Sequence, residues 1–273
     1  TAPKPPRRTC AIRVERVERL TPGMVRVVFG GDGLAGFDPG PFTDRYVKLH
    51  FPPPGAPYAP PFDLEDVKAR LPRAQWPRVR TYSIRAWDPA REQLTIDFVV
   101  HGDRGVAGPW AAAARPGDVL QLVGPGGAYA PDPGAAWHLM VGDACVLPAI
   151  AVSLERVQPG VPVHVLVQVD DDAERQPLAS PGDLRLTWTR DEDELLAALR
   201  ALPFPDGPVQ AFVHGEAALV RAVRRHLLAE RGVPAEALSA SGYWKRTLTD
   251  EEWRAIKREW NAQVERDVPI RSR

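Results

Sequence analysis

Cysteine is scarce in this sequence: only Cys10 and Cys145 occur among 273 residues, far apart in the chain. Two thiols cannot supply the four thiolates of an ordinary iron–sulfur cluster, nor do they make a disulfide framework. Any redox chemistry therefore needs an organic cofactor, and the cysteine usage fits a reducing compartment. An excess of charge of one sign is also missing, because 35 Lys and Arg balance 35 Asp and Glu. No global field draws the chain to nucleic acid or to an anionic membrane, so recognition by charge has to be local. No apolar run approaches the roughly 20 residues that a bilayer-spanning helix needs. The opening stretch, Thr1-Ala-Pro-Lys-Pro-Pro-Arg-Arg8, lacks the apolar core of a secretory signal. It reads as a short disordered lead-in, and the expected location is the cytoplasm. His50, His138 and His226 have no carboxylate or cysteine partners at metal-ligand spacing, so no protein-bound metal is expected.

What is present is ordinary in bulk and informative in order. Apolar residues make up 44% and charged residues 26%, values of a globular protein. The length suits two domains of about 100–150 residues each. The first half is strand-like. Ile12, Val14 and Val17 begin one β-branched stretch, and Met24–Phe29 forms the next. Tyr46–Phe51 sets Tyr46, Lys48 and His50 on one face and Val47, Leu49 and Phe51 on the other. Further strands are expected at Thr81–Arg85, Leu94–Val100 and Asp118–Val123, with Pro/Gly-rich spacers at Pro52–Pro61 and Gly124–Gly134. These six strands, interrupted by a helical patch at Trp110–Ala114, predict an antiparallel barrel over residues 1–132.

From residue 133 to 273 the rhythm changes to alternating strands and helices. Strands are expected at Trp137–Val141, Val163–Val169 and Val209–Val213, and helices at Cys145–Val157, Glu192–Leu202 and Ala217–Arg231. The last of these carries Leu219, Val220, Val223, Leu227 and Leu228 at helical spacing and stops at Gly232. Such alternation predicts a doubly wound parallel sheet. Thr249-Asp-Glu-Glu252 is a capping box that opens a final helix with Trp253, Ile256 and Trp260. No internal repeat is present.

Three segments carry candidate chemistry. In Arg80-Thr-Tyr-Ser-Ile-Arg85 a guanidinium can clamp a phosphate, a Tyr ring can pack on a flavin and a hydroxyl can bond its polar edge; an exposed strand with scattered polar residues is the plain alternative. Asp97-Phe-Val-Val-His-Gly102 and Gly105-Val-Ala-Gly-Pro-Trp110 lead into a helix starting near Pro109, whose free N–H groups suit a pyrophosphate; by itself this is also an ordinary strand–turn–helix link. Gly142-Asp-Ala-Cys-Val-Leu-Pro-Ala follows a strand and opens a helix, but it is not the full glycine fingerprint of a dinucleotide fold. Cys145 inside it sits where a helix terminus can lower a thiol pKa, against the plainer reading of a small core residue.

Taken in order, Arg80-x-Tyr-Ser, Asp97-Phe-Val-x-His-Gly, Gly108-Pro-Trp-Ala, Arg115-Pro-Gly-Asp, Gly124-Pro-x-Gly, Gly142-Asp-x-x-x-Leu-Pro-Ala-Ile, His214-Gly-Glu and Ser241-Gly-Tyr-Trp resemble the siderophore-interacting proteins. These are FAD-dependent ferric-siderophore reductases of the ferredoxin-NADP reductase superfamily, and the resemblance runs from about Val14 to Trp260. It implies an FAD-binding barrel followed by an NAD(P)H-binding-like α/β domain with a C-terminal helical extension. By that likeness Arg80, Thr81, Tyr82 and Ser83 hold the FAD phosphate, ring and ring edge. Asp97, Phe98, Val99 and His101 belong to the same site, His101 near the flavin or its adenine half. Gly105, Ala107, Gly108, Pro109 and Trp110 line the pyrophosphate, and Tyr243 and Trp244 cover the ring; a buried aromatic pair in a turn is the alternative for the last two.

The resemblance places a nicotinamide nucleotide at Gly142, Asp143, Ala144, Leu147 and Pro148 with His214, Gly215 and Glu216. NADH, NADPH and reduced ferredoxin are all donors of relatives; the want of a clear Arg pair for a 2′-phosphate favours NADH. The implied substrate is a bulky, often anionic ferric siderophore, for which Lys48, Lys245 and Arg246 are the candidate positive contacts. Family members commonly carry a basic residue in the Gly-Pro-x-Gly turn, where this chain has Gly126. The alternatives are a reductase of the same fold with another acceptor and a siderophore carrier without turnover. A monomer is expected by default.

Overall fold

A computed structural model describes residues 8–267; of the expected lead-in only Arg8 lies inside them, as the first residue of a strand. The chain divides into two compact units between Ala130 and Pro131.

The N-terminal unit is one antiparallel sheet built from β1 (Arg8–Thr21), β2 (Met24–Gly30), β3 (Tyr46–Phe51), β4 (Arg78–Ser83), β5 (Ala86–Asp88), β6 (Gln93–Val99) and β7 (Val119–Gly126). The order is β4-β3-β7-β1-β2-β6-β5, seven strands where the pattern predicts six. The extra strand arises because the expected strand Thr81–Arg85 bends. Its first part, β4, pairs with β3, and two residues later the chain pairs with β6 as β5. At the bend Ile84 N donates to Arg45 O at 2.8 Å and Arg85 N to Thr95 O at 2.9 Å. One bent run of chain thus ties both edges of the curled sheet, the usual way a sheet turns a corner. Across the gap, the Tyr82 ring of β4 lies 4.4 Å from that of Phe98 on β6.

Val47, Leu49 and Phe51 point into the core, as alternation requires. On the opposite face Tyr46 and Lys48 are half-buried, whereas His50 is buried. The excursion between β3 and β4 covers it: the Phe62 ring stands 6.1 Å from the imidazole, and Phe62 N donates to Gln121 Oε1 at 2.9 Å. That excursion also carries an unanticipated helix, α1 (Leu64–Arg70), capped by the Asp63 carboxylate on Glu65 N and Asp66 N. The helix α2 (Ala107–Ala113) begins two residues before Pro109.

The C-terminal unit is a parallel sheet of β8 (Trp137–Asp143), β9 (Pro162–Gln168), β10 (Asp183–Thr189), β11 (Val209–Glu216) and β12 (Leu238–Trp244), in the order β10-β9-β8-β11-β12. Its helices are α3 (Leu147–Leu154), α4 (Glu192–Ala201), α5 (Ala217–Arg225) and α6 (Asp250–Asp267), and α5 continues through a π-helical turn at His226–Glu230. The chain winds outward from β8 to β10 and then returns to the other side of β8. The strand order therefore reverses between β8 and β11. Every residue of β8 is buried, which is why its sequence is mostly apolar and does not alternate, with His138 and Asp143 the buried polar exceptions. Edge strands β10 and β12 are additions to the sequence reading. Gly242 of β12 lies under α6, where a Cβ would meet Trp253 at 3.1 Å and Trp260 at 3.2 Å. The capping box closes as expected, Thr249 N donating to Glu252 Oε2 at 2.8 Å and Glu252 N to Thr249 Oγ1 at 3.3 Å.

Candidate functional site

In the N-terminal unit the candidates gather at the β4 edge. Register pairs Leu49 with Arg80 and Val47 with Tyr82, so both side chains share the inward face; Thr81 and Ser83, opposite Lys48 and Tyr46, take the other. Arg80 is half-buried, with Nη1 donating to Val79 O at 3.0 Å. Tyr82 is half-buried and backed by the fully buried Phe98. Trp110 packs behind both, 5.8 Å from Phe98 and stacked on Phe29 at 6.2 Å. Phe98 and Trp110 thus form the wall that sets the Tyr82 ring.

Two of the expected cofactor-site residues also carry structural work. The buried Asp97 carboxylate is held by Arg26 directly across β2 and β6, Nε to Oδ1 at 2.7 Å and Nη2 to Oδ2 at 2.8 Å. Gly108 is needed for helix packing, since a Cβ there would lie 2.9 Å from Val99 O. Ala107 is buried with it and Pro109 is half-buried, whereas His101 and Gly105 stand exposed in the loop before α2. A guanidinium and a half-buried phenol on an aromatic wall, with two hydroxyls on the other face of the same edge strand, are donor types that fit a flavin dinucleotide. At Gly126 a Cβ would fall 2.4 Å from Tyr46 Cζ, so the Tyr46 ring fills the space where a side chain at 126 would start.

In the C-terminal unit three separate motifs meet in one network. Asp143, ending β8, accepts from Cys145 N on Oδ1 at 3.0 Å. Its Oδ2 accepts from Glu216 N at 2.8 Å and from Trp244 Nε1 at 2.8 Å. Gly215 makes the approach possible: at φ 129° it is in the region that favours glycine, and a Cβ would stand 2.6 Å from Asp143 Oδ2. Glu216 caps α5 through Leu219 N at 3.1 Å and accepts from Arg246 N at 3.0 Å. Gly142, Asp143, Gly215, Glu216 and Trp244 therefore converge between β8 and β11, the switch point where open α/β sheets bind ligands. Ala144 lies in the turn above, Leu147 and Pro148 are buried at the start of α3, and Lys245 is half-buried beside the exposed Arg246.

Electrostatics separate the roles. Burial pushes the Asp143 carboxyl up, against the opposing pull of its hydrogen bonds. Burial and the nearby Asp143 push the Cys145 thiol well above its usual range, so it is no activated thiolate. Cys10 is likewise raised by burial, to about 11. His214 is 4% exposed, stacks 3.9 Å from Phe212 and shares a 3.0 Å bond between Nε2 and Ser239 Oγ. Burial, with a smaller effect of Lys257, lowers its pKa to about 3, so it is neutral at physiological pH. Its unfolded value lies near 6.5. Below that pH the unfolded chain takes up a proton that folded His214 refuses, so stability falls as pH drops. The loss is about 2 kcal/mol at pH 5. Urea unfolding should show the decline, and His214→Gln should flatten it in part, because burial lowers His138 and His164 in the same direction.

Among the described residues no three His, Cys, Asp or Glu side chains are placed to hold a metal ion, and no helix is long and apolar enough to cross a membrane. Residues 13–129 match the siderophore-interacting FAD-binding domain and residues 135–247 the siderophore-interacting protein model. An NADPH-dependent ferric-chelate reductase of Escherichia coli is 35% identical over 239 residues, covering 85% of this chain and 91% of its own. The ferric vibriobactin reductase of Vibrio cholerae is 33% identical over 248 residues, covering 87% and 90%. The crystal structure of a siderophore utilization protein from T. fusca superposes with a TM-score of 0.77 at 34% identity, covering 92% of this chain and 97% of that one. A ferredoxin reductase of carbazole 1,9a-dioxygenase, 18% identical with a TM-score of 0.64 over 89% and 69% of the two chains, shares the fold. This chain belongs to the siderophore-interacting protein family and carries that family's FAD-binding domain.

Proposed function

We propose that the protein is an FAD-dependent ferric-siderophore reductase that draws on NADH or NADPH and frees iron as Fe(II) in the cytoplasm. The observation that carries the reading is the shared face of Arg80 and Tyr82 on an edge strand, backed by Phe98 and Trp110. When bound, FAD supplies the exchange between a two-electron hydride and single electrons. Arg80 clamps its phosphate, Tyr82 offers a ring to the isoalloxazine, and Thr81 and Ser83 offer hydroxyls. His101 and the Gly105 loop before α2 take the dinucleotide's remaining polar groups. Asp97 supports this site through its ion pair with Arg26.

The donor nucleotide is assigned to the switch point between β8 and β11. The Escherichia coli relative is NADPH-dependent by name, while this chain has no clear arginine pair for a 2′-phosphate, so both nucleotides belong in the assay, with reduced ferredoxin as a third donor. Lys48 is the first candidate for positive charge toward an anionic chelate, and Lys245 and Arg246 are the next candidates. Hard oxygen ligands hold Fe(III) far better than Fe(II), so reduction loosens the chelate without an acid or base from the protein.

Steady-state assay of the FAD-loaded protein with a ferric siderophore and a ferrous-specific dye tests this. Nucleotide-dependent dye colour is expected. Nucleotide oxidation at one rate with and without chelate, and no dye colour, would assign the protein another acceptor.

A further inference from the structure

We infer that Asp143 is a positioning residue that fixes the indole of Trp244 as a stacking platform for the nicotinamide ring of the donor. The inference rests on the donor site proposed above. β11 lies between β8 and β12, so the bond from Trp244 Nε1 to Asp143 Oδ2, 2.8 Å long, crosses the end of a whole strand. It does so at Gly215, where a Cβ would collide with the same oxygen, at 2.6 Å. Glycine there leaves the path open for the indole.

The indole itself has little packing to hold it. Trp244 ends an edge strand and is 40% exposed, one of two large apolar side chains left open among the described residues; the other is Ile256 on α6. An exposed ring on an edge strand would sample several rotamers, but its only donor, Nε1, is claimed by a buried carboxylate. That carboxylate is itself held on its other oxygen by Cys145 N at 3.0 Å and shares Oδ2 with Glu216 N at 2.8 Å. The ring is therefore anchored to the rigid ends of β8 and β11 instead of to its own strand. A flat, fixed, open aromatic surface at the switch point is a stacking platform. The three N–H donors are already satisfied by Asp143, so they do not bind a phosphate of the donor; recognition at this spot falls to the indole.

The test combines a spectrum and a binding measurement on the full-length protein. Near-UV circular dichroism of wild type minus Trp244→Phe gives the signal of the held indole without nucleotide. The same difference in an Asp143→Asn background should shrink to less than half, with far-UV spectra confirming that each variant is folded. Anaerobic stopped-flow reduction of the FAD-loaded protein by NADPH or NADH should then show apparent nucleotide affinity weakened about tenfold by either substitution. The double variant should be no weaker than Trp244→Phe alone, since Asp143 acts through the indole. Additive losses, or a full indole signal in Asp143→Asn, would overturn the inference. If Asp143→Asn does not fold, Trp244→Phe decides alone: it removes the bond and part of the stacking face, so unchanged nucleotide affinity would overturn the inference. A wild-type protein reduced by neither nucleotide would overturn the donor reading and with it the stacking partner, while the dichroism arm would still report whether Asp143 holds the indole.

Discussion

Replacing Arg80 with alanine is expected to weaken FAD binding about a hundredfold, since hydrogen bonds to a charged group contribute about 1.5–3 kcal/mol and a guanidinium donates two of them at once to a phosphate. The side chain is placed for it. Arg80 stands across from Leu49 on the inward face, half-buried, next to the Tyr82 ring position on the same face. Lysine at 80 should recover only part of the loss, because it keeps the charge but not the planar fork. Titration of FAD-free protein with FAD, followed by quenching of flavin fluorescence, measures both variants. An affinity unchanged in Arg80→Ala would remove this residue from the site and leave β4 as an ordinary edge strand.

The second large effect concerns stability. Arg26→Ala should cost about 3–5 kcal/mol, the usual penalty for stranding a buried charge. The Asp97 side chain is 3% exposed, against 26% for Arg26, so water cannot take over the lost bonds. Replacing both residues by leucine should restore most of the stability, because an apolar pair needs no desolvation of ions. Urea unfolding of the FAD-free protein reads these differences. The prediction also separates two roles for the Asp97-Phe-Val motif. If Asp97 were a cofactor ligand, Asp97→Asn would weaken FAD binding as severely as Arg80→Ala while leaving the urea midpoint in place. The Arg26 pair predicts the reverse.

Local periodicity made much of this architecture readable. Val47, Leu49 and Phe51 alternate because one face of β3 is buried, and β8 is mostly apolar without alternation because both faces are. The capping box at Thr249 is a purely local device, and it closes as written. What was not readable depends on distant partners. β12 has the sequence Leu-Ser-Ala-Ser-Gly-Tyr-Trp, with small residues where α6 lays Trp253 and Trp260 over Gly242, and although the helix itself is announced by its capping box, nothing local shows that it packs back onto this segment. The bend at Ile84 splits one strand because the sheet curls, a property of the whole unit. β10 was different: Asp183-Leu-Arg-Leu-Thr-Trp-Thr alternates in exposure as a half-buried strand should, and that signal was available.

The site divides in the same way. Arg80, Tyr82 and Ser83 could be picked out from chemistry and order, because three useful side chains sit on one strand. The work of Asp97 and Asp143 could not, since Arg26 lies 71 residues from the first and Trp244 lies 101 residues from the second. His50 shows the limit of a face assignment: alternation puts it outside, and Phe62 from the following excursion buries it. Cys145 illustrates the opposite error that a helix terminus invites, for burial, and after it the carboxylate of Asp143 beside it, pushes its pKa up.

One half-reaction tests the central claim most directly. The FAD-loaded protein, photoreduced under argon and mixed with ferric siderophore in the presence of a ferrous-specific dye, should regain its oxidised-flavin absorbance as dye colour grows in step. A protein that takes up FAD but stays reduced in the presence of the chelate would contradict the account.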